Sequence, residues 1–427
     1  MIEIDKEGIL EIGGVKATTL VEKFGTPLMV MDRETIESNI DKFKNSIEEN
    51  YDGNGMMLYA SKAFCCKEMY RILKRKNVGA DIVSLGELYT ALSVDFDPQK
   101  LVFHGNNKTV EDIVQAIEHG VGRIIIDSKI EAERVIEIAS KLNKRVNVMI
   151  RVNPGIEVHT HDYIKTGQVD SKFGIAIDSK DVYEVIKLII NSENVFLKGI
   201  HAHIGSQIFE LKPFEDAVVI LLNFIKNIKE KFGFTVKELN FGGGFGIRYT
   251  KEDKKIPFEM YLEKIAAKLN KECPKLGLEK PYIYIEPGRS VVGEAGVTLY
   301  RAGTIKKIPG IRTYVSIDGG MTDNPRYALY KSVYEIAVAT KMHEDKNKVI
   351  TLAGRCCESG DLIGENMKVQ DVEVGDIIAV FSTGAYNYSM SSHYNRLPKP
   401  PVVMPSKGKC KLIIKGETFA DVYRNDI

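Results

Sequence analysis

The sequence has no tryptophan among its 427 residues and only six cysteines. Four of these cysteines form two adjacent pairs, Cys65-Cys66 and Cys356-Cys357. So few thiols in so long a chain do not resemble the disulfide framework that stabilises small secreted domains. No Cys-x-x-Cys motif or other zinc-binding spacing is present, so we expect no metal.

Excess charge and long apolar runs are also absent. The formal net charge is +1, and lysine and arginine are scattered instead of forming a basic stripe, which argues against a nucleic-acid partner. No segment approaches the ~20 apolar residues of a membrane-spanning helix. Residues 1–7 lack the charged and apolar regions of a secretory signal. We therefore expect a soluble, cytoplasmic protein without nucleic-acid or membrane partners.

From about residue 33, short apolar runs rich in β-branched residues alternate with amphipathic helical patterns. One such pattern is 109–118, where Thr109 is placed to cap a helix. One face of that helix would carry Val110, Ile113, Val114 and Ile117. The runs predict eight strands at 55–60, 78–82, 101–104, 122–127, 145–151, 197–203, 236–241 and 281–286. Eight alternations over about 250 residues match a (β/α)8 barrel. A doubly wound sheet shares this alternation and stays an alternative.

Polar residues and glycines lie at or just beyond the carboxyl ends of the predicted strands. These positions are Lys62, Asp81, His104, Arg151, His203, Gly242 to Gly244 and Glu286. Active sites of barrel enzymes lie at this face, and phosphate is commonly held by the loops after strands seven and eight. The glycines and the Glu286-Pro287-Gly288-Arg289 run follow those two strands, so we expect the site there.

The pattern changes after residue 290, where strands follow one another without comparable helices. They are predicted at 297–305, 312–317, 333–339, 348–352, 376–382 and 411–414. Short strands are also expected at 2–4 and 9–14. The simplest account is an all-β domain formed by both chain ends, 1–32 and 289–427, beside a barrel of residues 33–288.

Three features at the predicted barrel mouth suit one cofactor. The Gly242–Gly246 segment lets backbone N–H groups approach a phosphate, and Glu286 can face a basic ring nitrogen. Lys62 supplies an amine able to form a Schiff base with an aldehyde. Together they indicate pyridoxal 5'-phosphate. The glycine segment lacks the third glycine of a dinucleotide fingerprint, which argues against a nicotinamide cofactor.

Two histidine pairs are candidates for other roles. We expect only one of His201 and His203 to face the barrel interior, with no third ligand spaced for a metal. His203 could stack its imidazole on the cofactor ring. A histidine that is simply buried and hydrogen-bonded in the core is the commoner outcome. His159 and His161 lie in a polar loop and are expected to be structural.

In combination and order, the motifs resemble the fold-type III pyridoxal-phosphate decarboxylases. The resemblance covers almost the whole chain, and its motifs run from residue 59 to 386. The matching stretches are Tyr59-Ala60-Ser61-Lys62-Ala63, Gly79-Ala80-Asp81-Ile82-Val83-Ser84, His201-Ala202-His203-Ile204-Gly205-Ser206-Gln207, Gly242-Gly243-Gly244-Phe245-Gly246, Glu286-Pro287-Gly288-Arg289, Ala328-Leu329-Tyr330, Cys357-Glu358-Ser359-Gly360-Asp361 and Gly384-Ala385-Tyr386.

The resemblance implies a role for each matching residue. The catalytic residues would be Lys62, which holds the cofactor aldehyde, His203, which stacks on its ring, and Cys357, which donates the proton that replaces CO2. The cofactor-binding residues would be Lys62, Asp81, His203, Ser206, Gly243, Gly244, Glu286, Gly288, Arg289 and Tyr386. The substrate-binding residues would be Arg289, Arg326, Tyr330, Glu358 and Tyr386. Cys357 and Glu358 would reach the partner's site in a head-to-tail homodimer.

Charge at the substrate's distal end distinguishes members of the family. Ornithine-type relatives carry an aspartate at the position of Lys331 and another at that of Glu358. Glu358 with Arg289 and Arg326 suits a distal group bearing both an ammonium and a carboxylate. The expected reaction is decarboxylation of meso-2,6-diaminopimelate to L-lysine and CO2, the last step of lysine biosynthesis. Two departures from the family pattern are Tyr327 in place of proline and Phe64 in place of asparagine.

Other functions fit these residues less completely. A decarboxylase for ornithine, arginine or carboxynorspermidine and a non-catalytic cofactor-binding pseudoenzyme remain alternatives. Alanine racemase shares the barrel but places arginine at the ring nitrogen, where this chain has Glu286. A sugar hydrolase could pair Asp81 with Glu286. That function would leave Lys62 and the glycine segment unexplained.

Overall fold

The computed structural model describes residues 1–156 and 171–427. The chain divides into two compact units. The barrel unit contains 40–246 and 255–288, and the β unit contains 1–39, 247–254 and 289–427. The domain boundaries at 32/33 and 288/289 stay predictions. Across the described part of the chain, no helix is both long and apolar enough to cross a membrane.

Strands alternate with helices through the barrel unit, whereas strands predominate in the β unit. The strands are β1 (Ile2–Ile4), β2 (Leu10–Ile12), β3 (Val15–Lys16), β4 (Leu28–Met31), β5 (Gly55–Ala60), β6 (Gly79–Ile82), β7 (Leu101–Phe103), β8 (Arg123–Ile126), β9 (Val146–Asn153), β10 (Ile175–Ala176), β11 (Val195–His201), β12 (Glu238–Asn240), β13 (Tyr282–Ile285), β14 (Gly296–Ile308), β15 (Arg312–Ile317), β16 (Ile336–Val338), β17 (Lys348–Ala353), β18 (Leu362–Val369), β19 (Ile377–Phe381), β20 (Val402–Ser406) and β21 (Lys409–Ile414). The helices are α1 (Ala17–Phe24), α2 (Arg33–Tyr51), α3 (Lys67–Lys76), α4 (Leu85–Leu92), α5 (Val110–Glu118), α6 (Lys129–Lys141), α7 (Lys180–Ile190), α8 (Lys212–Phe232), α9 (Phe258–Lys275), α10 (Arg289–Val292), α11 (Arg326–Tyr330) and α12 (Phe419–Tyr423).

Eight parallel strands of the barrel unit close into a ring. Their order is β5-β6-β7-β8-β9-β11-β12-β13, and β13 pairs with β5 to complete the circle. The short β10 is an additional parallel neighbour of β9. A doubly wound sheet is open, so the ring excludes that alternative and confirms the predicted (β/α)8 fold.

Four consecutive barrel helices, α4 to α7, begin at a serine or threonine whose side chain caps them. Thr109 forms a capping box with Asp112 at the start of α5, as the sequence predicted. Helix α5 buries Ile113 and Ile117, whereas Val110 is exposed, so the expected apolar face begins one turn later. Such amphipathic helices cover the outside of a barrel and leave its strand ends for a site.

The β unit confirms the predicted all-β domain built from both chain ends. The N-terminal strand β4 pairs antiparallel with β14 and parallel with β20, so residues near 30 share a sheet with residues near 300 and 403. Most pairings are antiparallel, and β15 with β17 is another parallel pair. Its buried core includes Val297 and Leu299 in one cluster and Ile350 and Leu352 in another.

Four strands of the β unit were not predicted from the sequence: β3, β4, β18 and β20. Strand β20 contains Pro405, which lacks an N–H donor and usually argues against a strand. Strand β18 is interrupted by Gly364, Glu365 and Asn366, which weaken its alternation. In β18 and β20, pairing with neighbouring strands overrode the local sequence preference.

Candidate active site

The strand-end residues predicted for the barrel lie at the expected end of the ring. Lys62 lies in a single 3-10 turn directly after β5, and Asp81 is the penultimate residue of β6. His104 and Glu286 follow β7 and β13 directly. His203 and Gly242 each lie two residues beyond a strand. Because parallel strands share one direction, these side chains gather at the carboxyl ends of the barrel strands.

The Glu286 carboxylate is buried and receives three side-chain hydrogen bonds. Its Oε1 accepts from His104 Nε2 and from Asn240 Nδ2, each at 2.7 Å. Its Oε2 lies 3.1 Å from His201 Nε2. Asn240 was not predicted as a site residue, because a lone asparagine inside an apolar run gives no functional signal.

Burial and neighbouring charges separate the pKa values of the two carboxylates at this face. Burial opposes ionisation of Glu286, but His104 and His201 more than offset it, so its pKa lies well below the ordinary value. Burial, followed by the charge of Glu286, raises the pKa of Asp81 to about 6, although His104 and Lys62 oppose the rise. Paired carboxyl groups with divergent pKa values are typical of functional sites.

Asp81 also has an unmet hydrogen-bonding capacity. Asp81 is 3% exposed, and within the described residues its Oδ1 has no hydrogen-bond partner. A buried polar atom without a partner is costly unless a bound group satisfies it. The barrel mouth therefore fits a ligand that brings a polar atom to Asp81.

Replacing Asp81 with asparagine should stabilise the cofactor-free protein at neutral pH. Because the folded-state pKa is raised above the ordinary 3.8, ionised Asp81 destabilises the fold, fully above about pH 6 and not below about pH 4. We expect the free energy of unfolding to rise by roughly 1–3 kcal/mol at pH 8 and to be unchanged at pH 4. Denaturant unfolding at both pH values measures this difference, and an equal gain at both would contradict it.

The glycine segment after β12 brings backbone close to its surroundings. A Cβ at Gly243 would lie 2.2 Å from the carbonyl oxygen of Glu286, and one at Gly244 would lie 2.5 Å from that of Gly205. Gly244 also has φ +107°, which L side chains rarely adopt. Phe245 anchors the segment, since its ring stacks on Phe214 with centroids 5.3 Å apart. The Gly242 and Gly243 N–H groups already donate to Asn240 and His203, so a phosphate at this segment would be met by the N–H groups of Gly244 and Phe245.

His201 and His203 both lie at the barrel mouth. His201 is buried against Glu286, and the Nδ1 of His203 accepts a hydrogen bond from the Gly243 N–H at 3.3 Å. The expectation that only one of them faces the interior is wrong, because residues two apart in extended chain point to the same side. Burial lowers the pKa of His201 to about 4 and that of His203 well below its ordinary value, so both are neutral at pH 7.

Spacing in the sequence offered no third metal ligand, and the absence of a metal stays a prediction. His104, His201 and Glu286 are far apart in the chain, yet the structure places one ligand atom of each within 4.8 Å of the others. Two imidazoles and a carboxylate are a chemically possible metal set. The hydrogen bonds to Glu286 account for the same grouping without an ion. His159 and His161 lie outside the described residues.

The β unit holds a second group of predicted site residues. Arg289 donates to the Tyr249 hydroxyl at 2.5 Å, and its guanidinium lies 4.8 Å from the centre of the Tyr386 ring. Arg326 donates to Tyr334 at 3.0 Å. The ring of Tyr330, another predicted residue, lies 5.5 Å from the Arg326 guanidinium. Two arginines among tyrosines form a cationic, hydrogen-bonding cluster suited to carboxylate or phosphate.

Tyr249 and Tyr334 in this cluster were missed by sequence reasoning. Tyr249 lies in a loop, and Tyr334 lies just outside a short strand, so neither position carries a motif. Their rings pack edge to face with centroids 5.6 Å apart. They hold the two arginines in place from the side.

The two departures from the family pattern have local structural accounts. Tyr327 donates from its hydroxyl to Glu365 at 2.5 Å, and the Lys331 ammonium lies 4.7 Å from the centre of its ring. Phe64 is fully buried, and its carbonyl oxygen accepts from Tyr59. Both residues are therefore accommodated by packing.

Cys357 and Glu358 are exposed on the β unit. The Cys357 backbone N–H donates to the Asn395 side chain at 2.8 Å. Glu358 accepts from the Gly360 N–H at 3.2 Å, a contact that closes a tight turn. This turn presents a thiol and a carboxylate side by side at the surface.

The barrel unit thus brings an amine, a buried carboxylate and a tightly packed glycine segment to the carboxyl ends of its strands. Asp81 Oδ1 needs a polar partner, and the glycine segment leaves no room for side chains. These observations fit pyridoxal phosphate, which carries an aldehyde, a basic ring nitrogen, a hydroxyl and a phosphate.

Comparison with known proteins gives a consistent assignment. Residues 33–293 match the family described as pyridoxal-dependent decarboxylase, pyridoxal binding domain. The chain is 42% identical to the diaminopimelate decarboxylase of Bacillus subtilis over 99% of its own length and 96% of the relative's. It is also 42% identical to that of Staphylococcus aureus, covering 100% and 99%.

A solved structure is also similar over the whole chain. The diaminopimelate decarboxylase of M. jannaschii in co-complex with L-lysine has a TM-score of 0.93 and 36% identity, covering 100% of this chain and 98% of that one. The family match spans more than half of the chain, and the relatives align end to end. The chain therefore belongs to the pyridoxal-dependent decarboxylases, within the diaminopimelate decarboxylase family.

Proposed function

We propose that this protein is a carboxy-lyase that uses pyridoxal phosphate to decarboxylate meso-2,6-diaminopimelate, releasing L-lysine and CO2 as the last step of lysine biosynthesis. The observation that carries the proposal is the buried Glu286, held ionised among three donors, at the barrel face that also bears Lys62. The relatives' name and the lysine bound in the M. jannaschii structure support the substrate and product.

The barrel residues would hold and polarise the cofactor. Lys62 would bind its aldehyde, His203 would stack on its ring, and Glu286 would face its ring nitrogen. Asp81 would satisfy a polar atom of the cofactor. Ser206, Gly243, Gly244 and Gly288 would line the phosphate side. The bound cofactor supplies an electron sink for the pair left at Cα when CO2 departs.

The arginines of the β unit would bind anionic groups. Arg289 with Tyr386 would bind phosphate and carboxylate, and Arg326 with Tyr330 would bind a substrate carboxylate. Each guanidinium is already oriented by a tyrosine hydroxyl, so little side-chain freedom is lost on binding. Desolvation strengthens such charge-assisted bonds, which suits them to orient a substrate.

Charged side chains would recognise the distal end of the substrate. Lys331 places an ammonium at the position where ornithine-type relatives have a carboxylate, and its contact with the Tyr327 ring holds it on this surface. A distal ammonium alone would be repelled there. Glu358 would accept the distal ammonium of diaminopimelate, and arginine would accept its carboxylate.

The activity test is CO2 release by purified protein supplied with pyridoxal phosphate. We expect release from meso-diaminopimelate and none from the LL isomer, ornithine or arginine. Release of CO2 only from ornithine or arginine would agree with the proposed cofactor chemistry but refute the assignment of meso-diaminopimelate as the substrate. No release from any of the four would leave the pseudoenzyme or an untested substrate such as carboxynorspermidine.

A homodimer would complete the site, with Cys357 of one subunit donating the proton in its partner's site. The exposure of Cys357 and Glu358 supports this arrangement. We place the enzyme in the cytoplasm, with small amino acids as its other partners.

Mixing two inactive variants tests the shared site. If Lys62 and Cys357 act across the interface, a re-equilibrated equal mixture of Lys62→Ala and Cys357→Ala dimers should recover about one quarter of wild-type activity, because half of the dimers are mixed and each has one intact site. Each variant re-equilibrated alone is the control. Recovery of no activity would contradict a site shared between subunits.

A further inference from the structure

Glu286 receives more hydrogen bonds than are needed to hold one carboxylate in position. Its three donors come from the ends of three different strands: His104 after β7, His201 at the end of β11 and Asn240 at the end of β12. All three residues are at least nine-tenths buried. In such surroundings each hydrogen bond to a carboxylate selectively stabilises its ionised form.

The orientation of Asn240 is fixed independently of Glu286. Its Oδ1 accepts from the Gly242 N–H at 2.9 Å, so its Nδ2 must face the carboxylate. The same asparagine thus ties the glycine segment to Glu286. A donor whose orientation is set by backbone cannot turn away when the carboxylate changes its protonation.

The two imidazoles present the same ring nitrogen to Glu286. Each directs Nε2 to the carboxylate, so Nε2 carries the hydrogen. The Nδ1 of His201 is buried without a hydrogen-bond partner in the described part of the chain. A hydrogen there would be an unsatisfied donor, so the doubly protonated ring is disfavoured. His201 therefore acts as a fixed donor at neutral pH.

Asp81 is the competing carboxylate at this face. Among the described residues, its buried Oδ1 receives no hydrogen bond, whereas both oxygens of Glu286 do. Two nearby buried carboxylates do not both ionise freely. The unequal distribution of donors leaves Glu286 as the charged member. A carboxylate has about four lone-pair positions, so three donors leave roughly one for a ligand.

We propose that His104, His201 and Asn240 are positioning residues that fix the negative charge on Glu286 and so keep a proton on the cofactor's ring nitrogen. This inference rests on the proposed role of Glu286. Without the donors, Glu286 becomes a stronger base, and the shared proton moves from the ring nitrogen to the carboxylate.

The test is nitrogen NMR of the holoenzyme carrying cofactor labelled at its ring nitrogen, which distinguishes protonated from unprotonated nitrogen. His201→Leu removes one donor, and Asn240→Asp removes another while keeping an acceptor for Gly242. In each variant, the ratio of carboxylate-bound to ring-nitrogen-bound proton should rise about ten-fold. His201→Gln, which keeps a donor at the Nε2 position, should retain the wild-type signal.

The Glu286→Gln holoenzyme separates two kinds of failure. A wild-type signal in Glu286→Gln would overturn the proposed role of Glu286 itself. A shifted signal in Glu286→Gln, with wild-type signals in His201→Leu and Asn240→Asp, would overturn only the positioning role. Equal shifts in His201→Leu and His201→Gln would assign the effect to packing and also overturn it. A shift in the donor variants with rescue by His201→Gln supports it.

Discussion

Replacing Lys62 with alanine is expected to abolish the covalent attachment of the cofactor and to lower kcat by about 10³-fold or more. Lys62 lies in the turn after β5 and interacts electrostatically with Asp81 and His203 at the barrel mouth. Lys108, a buried lysine in the loop after β7, is bound to Glu131 and two backbone carbonyl oxygens. It is therefore not available to replace Lys62.

The measurements are the visible absorption spectrum and the rate of CO2 release from meso-diaminopimelate. Lys67→Ala, which replaces an exposed lysine at the start of α3, is the matched control and should behave as wild type. A wild-type spectrum in Lys62→Ala would refute the assignment of the attachment residue.

Replacing Glu286 with glutamine is expected to lower kcat by roughly 10²–10⁴-fold while the cofactor remains attached to Lys62. Glutamine keeps the size of the side chain but removes its charge, so the ring nitrogen loses the anion that holds its proton. One carboxylate oxygen becomes an NH2 group, so either His104 or His201 loses its acceptor. The effect should therefore fall on kcat more than on KM.

Glu238→Gln is the matched control for this substitution. Glu238 opens β12 and pairs with Arg123 at 2.6 Å, at the amino end of the barrel strands. Its loss should reduce stability without a comparable loss of kcat. A similar loss of kcat in both variants would show that Glu286 matters only for folding.

Much of the barrel could be predicted from local pattern. Apolar runs and amphipathic helices repeat with the period of the fold, and polar residues follow the runs at 62, 81, 104 and 286. Because strand direction is shared in a parallel barrel, position along the chain predicts the face on which those side chains lie. The β unit was predicted less completely, since Pro405 and Gly364 obscure strands that are stabilised by distant neighbours.

The sequence by itself determined the fold class, the cofactor and the residue types of the site, because periodicity and motif spacing are local properties of the chain. Tertiary structure alone decided that Asn240 and two histidines surround Glu286, and that Tyr249 and Tyr334 orient the arginines. These contacts join residues separated by 8 to 182 positions. Hydrogen bonding at such separations depends on strand order and side-chain direction, which no local pattern specifies.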